Sequence, residues 1–422
     1  MIRFYNGRAL TFAGGVKVAD GEVWTDGGVI VYVGPAKTDR PVFEREIDLE
    51  GDVVLPSFKD AHTHSAMTFL RSYADDLPLN DWLYRRVFPL EAKMTPEAVY
   101  AMTRLAILEY LSSGITASFD MYYHNDAYVQ ANLDSGFRTV ICSALNDFDK
   151  DPENIEREYL KFNASGPLIG YRLGIHAEYT TGPERLSYAA GLVQKYKTPF
   201  FTHNSETRAE VEGCIQRHGM TPTALFESLG MFDYGGGGFH CVWLSDDDID
   251  IFRRRGLWAV TNPASNLKLA SGIAPIRALM DAGVKLAIGT DGPASNNALD
   301  MFREMYLVTV LQKYRENDAA ACGADKVLEM ACAGGAGAMG LAGCDDLAPG
   351  KKADLIVLNM RRPNMQPEHN IPKNIVYAGS KENVRLTMID GVIRYEDGEF
   401  FIGEAPEKIY ADAKKILKEI LK

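Results

Sequence analysis

SFKDAHTH, residues 57–64, is the most informative stretch of this sequence, because it has the pattern of a buried strand that ends in two histidines. Side chains two apart on a strand point to the same side, so His62 and His64 can face one common site. Seven more apolar β-rich runs follow it. They are TASFDMYY (116–123), TVICSAL (139–145), YRLGIHAE (171–178), PFFTHNSE (199–206), GGFHCVWL (237–244), LWAVTNPAS (257–265) and KLAIGTDG (285–292).

Helical stretches such as AVYAMTRLAILEYLSSG (98–114) separate these runs. Alternation of strand and helix is typical of repeated βα units with a parallel sheet. We therefore predict an α/β fold with a (β/α)₈ TIM barrel over residues 57–350. In such a barrel the catalytic groups gather at the carboxyl ends of the strands.

The two ends of the chain resemble each other and differ from the middle. VADGEVWTDGGVIVYVG (18–34) and VRLTMIDGVIRYEDGEF (384–400) alternate apolar residues and contain Asp-Gly pairs, a hairpin signal. They predict a small β-sandwich domain built from residues 1–56 and 351–422. An amphipathic helix over roughly 405–421 should close it with one apolar packing face.

Composition restricts the partners. A net charge of −12 argues against a nucleic-acid partner, which needs basic patches. No run approaches the length of about 20 apolar residues that crosses a bilayer, so no membrane role is expected. The six cysteines form no CxxC pair, and MIRFYNGRALTF (1–12) has the pattern of a strand, not of a signal peptide. A cytoplasmic protein is expected.

Histidines cluster at the predicted strand ends. The chain has eight histidines, and those at 62, 64, 176, 203 and 240 fall at such ends. Asp291 ends the eighth strand. Each histidine alone can be a hydrogen-bonded core residue, but the set favours a metal site. Three imidazoles and a carboxylate suit one divalent ion with an open position for water. Zinc fits this set best, with iron(II) as the alternative.

Glu206 stands three residues after His203. A metal-bound water loses its proton near neutral pH, and a nearby carboxylate that does not bind the metal can carry that proton to the substrate. The alternative reading is a glutamate that stabilises a helix N-terminus.

Five motifs together resemble the amidohydrolase superfamily. They are FKDAHTHSAMTFLRSYADDL (58–77), HNSET (203–207), FHCVWLS (239–245), TNPASNLKLASGIAPI (261–276) and GTDGPASNN (289–297). The likeness covers nearly the whole chain. Within the superfamily, the motifs resemble the S-adenosylhomocysteine and 5′-methylthioadenosine deaminase branch, which overlaps with chlorohydrolase-type enzymes.

The resemblance implies hydrolytic deamination of an adenosine-type nucleoside by attack of a metal-bound hydroxide on the purine. His62, His64, His203 and Asp291 would hold the ion. Glu206, His240 and Asp291 would be catalytic: Glu206 as proton shuttle, His240 orienting the nucleophile, and Asp291 helping to protonate the ammonia. The implied substrate contacts are Trp82 against the purine, Glu91 on the ribose hydroxyls, and Arg138, His176 and Ser295.

Two departures from the family pattern matter. Binuclear members carry a lysine at the end of strand four, where this chain has His176 in YRLGIHAE, so a single ion is expected. Homocysteine deaminases of the branch use two arginines near the amino-acid tail of the substrate. Arg138 resembles the first, but DFDKDPENIE (147–156) offers no second, which favours smaller 5′-modified adenosines.

Two alternatives stay open. The first is a deaminase or chlorohydrolase acting on guanine, oxidised guanine, a pterin or a triazine, and Trp82 and Glu91 disfavour it because a bare base has no ribose. The second is a catalytically silent binding protein on the same scaffold, against which the complete set of reacting groups argues. A small-molecule heterocycle is the expected partner, and a homo-oligomer is an open expectation.

Overall fold

The computed structural model describes residues 1–77 and 79–422, with side chains for all of these except residues 79 and 80. Both ends of the chain contribute to one nine-stranded mixed sheet. Its amino-terminal strands are β1 (Ile2–Thr11), β2 (Lys17–Asp26), β3 (Val29–Gly34), β4 (Arg45–Asp48) and β5 (Val53–Pro56).

A second sheet holds eight parallel strands whose neighbours follow chain order. These strands are β6 (Phe58–Thr63), β7 (Ile115–Asp120), β8 (Arg138–Cys142), β9 (Ile169–Gly174), β10 (Phe200–Asn204), β11 (Gly236–His240), β12 (Trp258–Thr261) and β13 (Lys285–Ile288). The last lies beside the first, where the Asp291 amide donates to the carbonyl of His62 at 2.9 Å. The strands thus form a nearly closed barrel.

The barrel interior is filled by apolar side chains, one from each of several strands. Phe119, Phe201 and Phe239 pack there with small residues such as Ala61 and Ala287, all buried. The interior is therefore a packed core, and the site is confined to the carboxyl ends of the strands.

The carboxyl-terminal strands return to the first sheet. They are β14 (Leu355–Leu358), β15 (Val384–Ile389), β16 (Val392–Glu396) and β17 (Glu399–Phe400). β14 pairs antiparallel with β5, which joins the two ends of the chain in one sheet.

The helices surround the barrel and close the chain. The α-helices are α1 (Leu79–Trp82), α2 (Phe88–Glu91), α3 (Pro96–Ser112), α4 (Asn125–Ser135), α5 (Asn154–Phe162), α6 (Pro183–Tyr196), α7 (Arg208–His218), α8 (Pro222–Ser228), α9 (Asp246–Arg255), α10 (Pro263–Lys268), α11 (Ile276–Asp281), α12 (Met301–Glu316), α13 (Ala324–Glu329), α14 (Gly335–Met339), α15 (Ile371–Tyr377) and α16 (Pro406–Ile420). Short 3₁₀ turns cover Ser65–Leu70, Glu178–Thr180, Pro363–Met365 and Lys381–Asn383, and π turns cover Leu83–Val87 and Met330–Gly334.

Local sequence explains several helix ends. Thr207 and Glu210 form a capping box that starts α7, and Ser245 and Asp248 form another that starts α9. Gly256 ends α9 in the left-handed region, with φ of 62°. None of the helices in the described ranges has the length and apolar character that a membrane span requires.

The predicted fold class is confirmed: a TIM-type barrel with a smaller β-structure made from both termini. Each predicted strand end lies within a few residues of an observed one. The helix α16 buries Ile409, Ala413 and Ile420, as its apolar stripe predicted. The division of the chain into domains at residues 56/57 and 350/351 stays a prediction.

Candidate metal centre and adjoining cavity

Four predicted ligands meet at one end of the barrel. The Nε2 atoms of His62, on β6, and His203, on β10, lie 3.1 Å apart. Asp291, just after β13, places Oδ1 3.2 Å from Nε2 of His64 and 3.6 Å from Nε2 of His62. The parallel strands bring together residues that are far apart in sequence.

Hydrogen bonds at Nδ1 determine whether Nε2 of the same histidine is free to bind an ion. Nδ1 of His64 lies 2.6 Å from the carbonyl oxygen of Met121, and Nδ1 of His203 lies 2.6 Å from that of His176. A carbonyl only accepts, so both Nδ1 atoms donate and a neutral ring keeps a lone pair on Nε2. Those lone pairs point into the cluster.

The charge state of the cluster also fits a cation. Burial lowers the pKa of His62 and His203 well below the usual value, so both rings are neutral at physiological pH. Burial also lowers the pKa of His64, but its hydrogen bond and charge contact with Asp291 outweigh this and raise it to about 9. A divalent ion bound between His64 and Asp291 would compete with the proton of His64 and release it. The donor set therefore fits a divalent metal.

His240 approaches the same cluster. The ligand atoms of His62, His203 and His240 lie within 4.8 Å of one another, as do those of His62, His64 and Asp291. Nδ1 of His240 lies 2.8 Å from Oδ1 of Asn266, and its Nε2 lies 3.9 Å from Oε2 of Glu206. His240 thus stands between the cluster and the carboxylate of Glu206.

Glu206 is held at the mouth by two partners that sequence reasoning missed. Ser271 donates to Oε1 of Glu206 at 2.9 Å. Glu210, in the first turn of α7, accepts the backbone amides of Ser205 at 2.9 Å and Glu206 at 2.8 Å. The helix-terminal role considered for Glu206 belongs to Glu210, and the carboxylate of Glu206 faces the site.

One segment, residues 262–272, contacts three of the expected catalytic side chains. Ser265 donates to Oδ2 of Asp291 at 2.5 Å, Asn266 accepts from His240, and Ser271 bonds Glu206. The indole of Trp243 donates to the carbonyl of Ser271 at 2.7 Å and fixes the end of the segment. The only signal in the sequence for these partners is their place in NPASNLKLAS (262–271), which the family resemblance marked.

A cavity of about 70 Å³ adjoins the cluster. Trp82, Glu91, His176 and Ser295 all line it, so the structure brings these four predicted contacts together with the cluster. Burial raises the pKa of Glu91 to about 7 and lowers that of His176 to about 4. Ser295 donates to Oδ2 of Asp291 at 2.7 Å, so its hydroxyl orients that carboxylate.

Arg138 is not brought to the site, and its predicted substrate contact is wrong. It is the first residue of β8, at the opposite end of the barrel from the cavity. It is 2% exposed, and its Nε and second guanidinium nitrogen donate to the carboxylate of Asp354 at 2.7 and 3.0 Å. The guanidinium joins the barrel to the terminal sheet.

Comparisons with known proteins show the family of the chain. The model of the amidohydrolase family matches residues 53–394, so the chain belongs to the amidohydrolase family. A relative from Syntrophobacter fumaroxidans, named 5-methylthioadenosine/S-adenosylhomocysteine deaminase, is 39% identical over 97% of this chain and 97% of its own length. A relative of the same name from Syntrophomonas wolfei is 38% identical, over 93% of this chain and 92% of its own.

Solved structures extend the likeness. An adenosine deaminase from Xanthomonas campestris with bound zinc is 31% identical, with a TM-score of 0.95 over 100% of this chain and 98% of its own. Atrazine chlorohydrolase TrzN from Arthrobacter aurescens, complexed with zinc, shares the fold at 22% identity, with a TM-score of 0.91 over 99% of this chain and 100% of its own. The predicted membership of the deaminase branch is confirmed by the curated relatives.

Proposed function

We propose that this protein is a metal-dependent deaminase that hydrolyses the exocyclic C–N bond of an adenosine-type nucleoside and releases ammonia. The candidate substrates are 5′-methylthioadenosine, 5′-deoxyadenosine, adenosine and S-adenosylhomocysteine. The curated relatives bear the name of such an enzyme, and the solved relative at 31% identity is described as an adenosine deaminase.

One observation carries the proposal: a carboxylate that can move protons stands beside the ligand cluster, at the mouth of a cavity with an aromatic wall. Oε2 of Glu206 lies 3.9 Å from Nε2 of His240, and the cavity continues to Trp82 and Glu91. A purine ring against Trp82 would present its amino-bearing carbon to the cluster, and Glu91 would meet the ribose.

Each side chain of the site would have a separate role in the hydrolysis. A divalent ion held by His62, His64, His203 and Asp291 would supply a nucleophile at neutral pH by lowering the pKa of water. A C–O bond forms, the C–N bond breaks, and ammonia leaves. Glu206 would take the proton of the attacking water and give it to a ring nitrogen, while His240 orients that water.

Ser265 and Ser295 both donate to Asp291 Oδ2, which leaves Oδ1 toward the histidines. Asp291 would then assist protonation of the departing amine, and neutral His176 and the hydroxyl of Ser295 would contact the purine. Differential stabilisation of the developing charge by these fixed groups accelerates the reaction.

We infer one ion per chain, with zinc as the first choice because imidazole and carboxylate ligands suit it. Iron(II) is the alternative. A cytoplasmic location, a heterocyclic small molecule as partner and assembly into a homo-oligomer complete the proposal, with neither a nucleic acid nor a membrane among the partners.

Ammonia release from a panel of purines and nucleosides, measured on zinc-loaded and on iron-loaded protein, tests the function. Turnover of an adenosine-type nucleoside supports the proposal. Turnover of guanine, an oxidised guanine, a pterin or a triazine alone would replace it with the free-heterocycle alternative. Binding without any ammonia release would replace it with the silent binding protein.

A further inference from the structure

A second, larger cavity, the side chamber, adjoins the catalytic cavity. Its volume is about 480 Å³, within the range of about 300–1,000 Å³ that is usual for small-molecule sites. The two spaces share Phe88, Glu91, Tyr123 and His176 in their walls. The side chamber therefore borders the catalytic cavity beside Glu91.

The walls of the side chamber are mostly apolar. Phe88, Met94, Tyr123 and Phe148 supply carbon surface, and Phe88 and Phe148 lie 6.4 Å apart between ring centres. The side chain of Phe148 is 71% exposed and lies at the outer rim of the side chamber. Such a surface favours an apolar group of the ligand.

The charged groups of the chamber are acidic. Glu91 and Asp149 both line it, and within the described chain its lining includes neither lysine nor arginine. Arg185 is not among the lining residues, and its Nε is 3.5 Å from the carboxylate of Asp147 while its guanidinium donates to the carbonyl of Asp149 at 2.8 Å. A carboxylate on the ligand would meet like charges here, which opposes binding.

We propose that the side chamber binds the 5′ substituent of the nucleoside, and that the preferred substituent is apolar, longer than a methylthio group and free of negative charge. The inference rests on the proposed function. It follows from the adjoining positions of the two cavities: with the purine at the metal end and the ribose at Glu91, the 5′ carbon is the point from which the substrate would extend into the chamber. Of the two substrates in the relatives' name, 5′-methylthioadenosine suits the chamber better than S-adenosylhomocysteine, whose 5′ substituent ends in a carboxylate.

A substrate series tests the chemistry of the chamber. We expect kcat/KM for 5′-butylthio-5′-deoxyadenosine to equal or exceed that for 5′-methylthioadenosine. A methylene in a fitted apolar pocket changes kcat/KM by about tenfold or more. We expect S-adenosylhomocysteine, which has a similar chain length but ends in a carboxylate and an ammonium, to fall at least about tenfold below the butylthio compound. Equal or better turnover of S-adenosylhomocysteine would overturn the inference.

Two variants test the location. Ala92 lines the chamber and ends α2 in ordinary helical backbone with an exposed side chain, so a larger residue is accommodated there. Ala92→Phe should lower the kcat/KM ratio of the butylthio compound to adenosine by about tenfold. Phe148→Arg should raise the ratio of S-adenosylhomocysteine to the butylthio compound by a similar factor, because it brings a cation to the rim.

Tyr314→Arg is the matched control for the charge, since Tyr314 is 81% exposed on α12 and lies outside the lining of both spaces. It should leave both ratios unchanged. Unchanged ratios in Ala92→Phe and Phe148→Arg, with adenosine still turned over, would overturn the chamber assignment alone. Absence of turnover on adenosine and on every 5′-modified compound would instead overturn the proposed function.

Discussion

The carboxylate of Glu206 is held by one hydroxyl and faces His240, which suits a group that moves a proton. Glu206→Gln keeps the size and the hydrogen bond with Ser271 but cannot accept a proton. We expect kcat for 5′-methylthioadenosine to fall about 10²–10⁴-fold, as is typical when a general acid–base group is lost. Metal content should not change, because Glu206 is not among the proposed ligands.

Glu212→Gln, on the exposed side of α7, is the matched control and should behave as wild type. Steady-state kinetics and elemental analysis on the three proteins give the answer. Turnover near wild type in Glu206→Gln would mean that another group carries the proton.

Glu91 supplies a prediction about pH. Burial raises its pKa to about 7, and only the ionised carboxylate accepts hydrogen bonds with both oxygens. Ribose binding should therefore strengthen as pH rises through about 7, and kcat/KM for adenosine should rise with it. The pH profile of Glu91→Gln should lack this rise, and a profile that matches wild type would remove Glu91 from ribose binding.

The side chains at the strand ends could be predicted from the sequence. A strand pattern indicates where the strand ends and which side of the strand each side chain faces. The likeness to a family arginine predicts the wrong place for Arg138, because this residue begins its strand and so lies at the opposite end of the barrel. Ser271 and Glu210 were missed because their contacts depend on loop conformation, which residue periodicity does not encode.

Among the elements, the segment 262–272 positions several reacting groups at once. Ser271→Ala removes one hydrogen bond to the carboxylate of Glu206, which is worth about 1.5–3 kcal/mol for a charged group. We expect kcat to fall about tenfold or more with KM little changed, since the lost contact orients a proton carrier and does not touch the ribose end.

Ser271→Thr retains the hydroxyl and should recover most of the activity. Ser228→Ala, which removes a hydroxyl bonded within its own helix, is the control. A loss in Ser271→Ala that Ser271→Thr does not repair would point to altered packing of the segment and not to the hydrogen bond.

The eight strands were predictable because apolar β-rich runs of similar length recur between helical stretches. The short helices α1 and α2 and the π turn between them were not, although they carry Trp82 and Glu91. They follow β6, the first barrel strand, and their shape depends on packing over the cavity. Residue pattern does not predict that packing, so only the family resemblance indicated roles for Trp82 and Glu91.

In the molecule as a whole, the pair of Arg138 and Asp354 connects the barrel to the sheet made by both termini. Both side chains are buried, at 2% and 0% exposed. Removing one partner of a buried ion pair leaves an uncompensated charge and costs about 3–5 kcal/mol. We expect Arg138→Met to lower the free energy of unfolding by that amount in urea denaturation.

The same variant should leave the kcat/KM ratio of S-adenosylhomocysteine to 5′-methylthioadenosine unchanged at a temperature where it is folded. A changed ratio with unchanged stability would return Arg138 to the substrate site. The sequence predicted that the two ends share one β-structure, but not this ion pair, because the contact joins residues far apart along the chain with no local pattern to mark them.

In the proposed reaction, oxygen from water replaces the amino group of the purine. Mass spectrometry of the product formed from 5′-methylthioadenosine in heavy-oxygen water, with ammonia quantified in the same sample, tests it most directly. We expect 5′-methylthioinosine with a single heavy oxygen on the ring and one ammonia molecule for each product molecule. A product that keeps its amino group, or ammonia-free cleavage at the glycosidic or thioether bond, would contradict it.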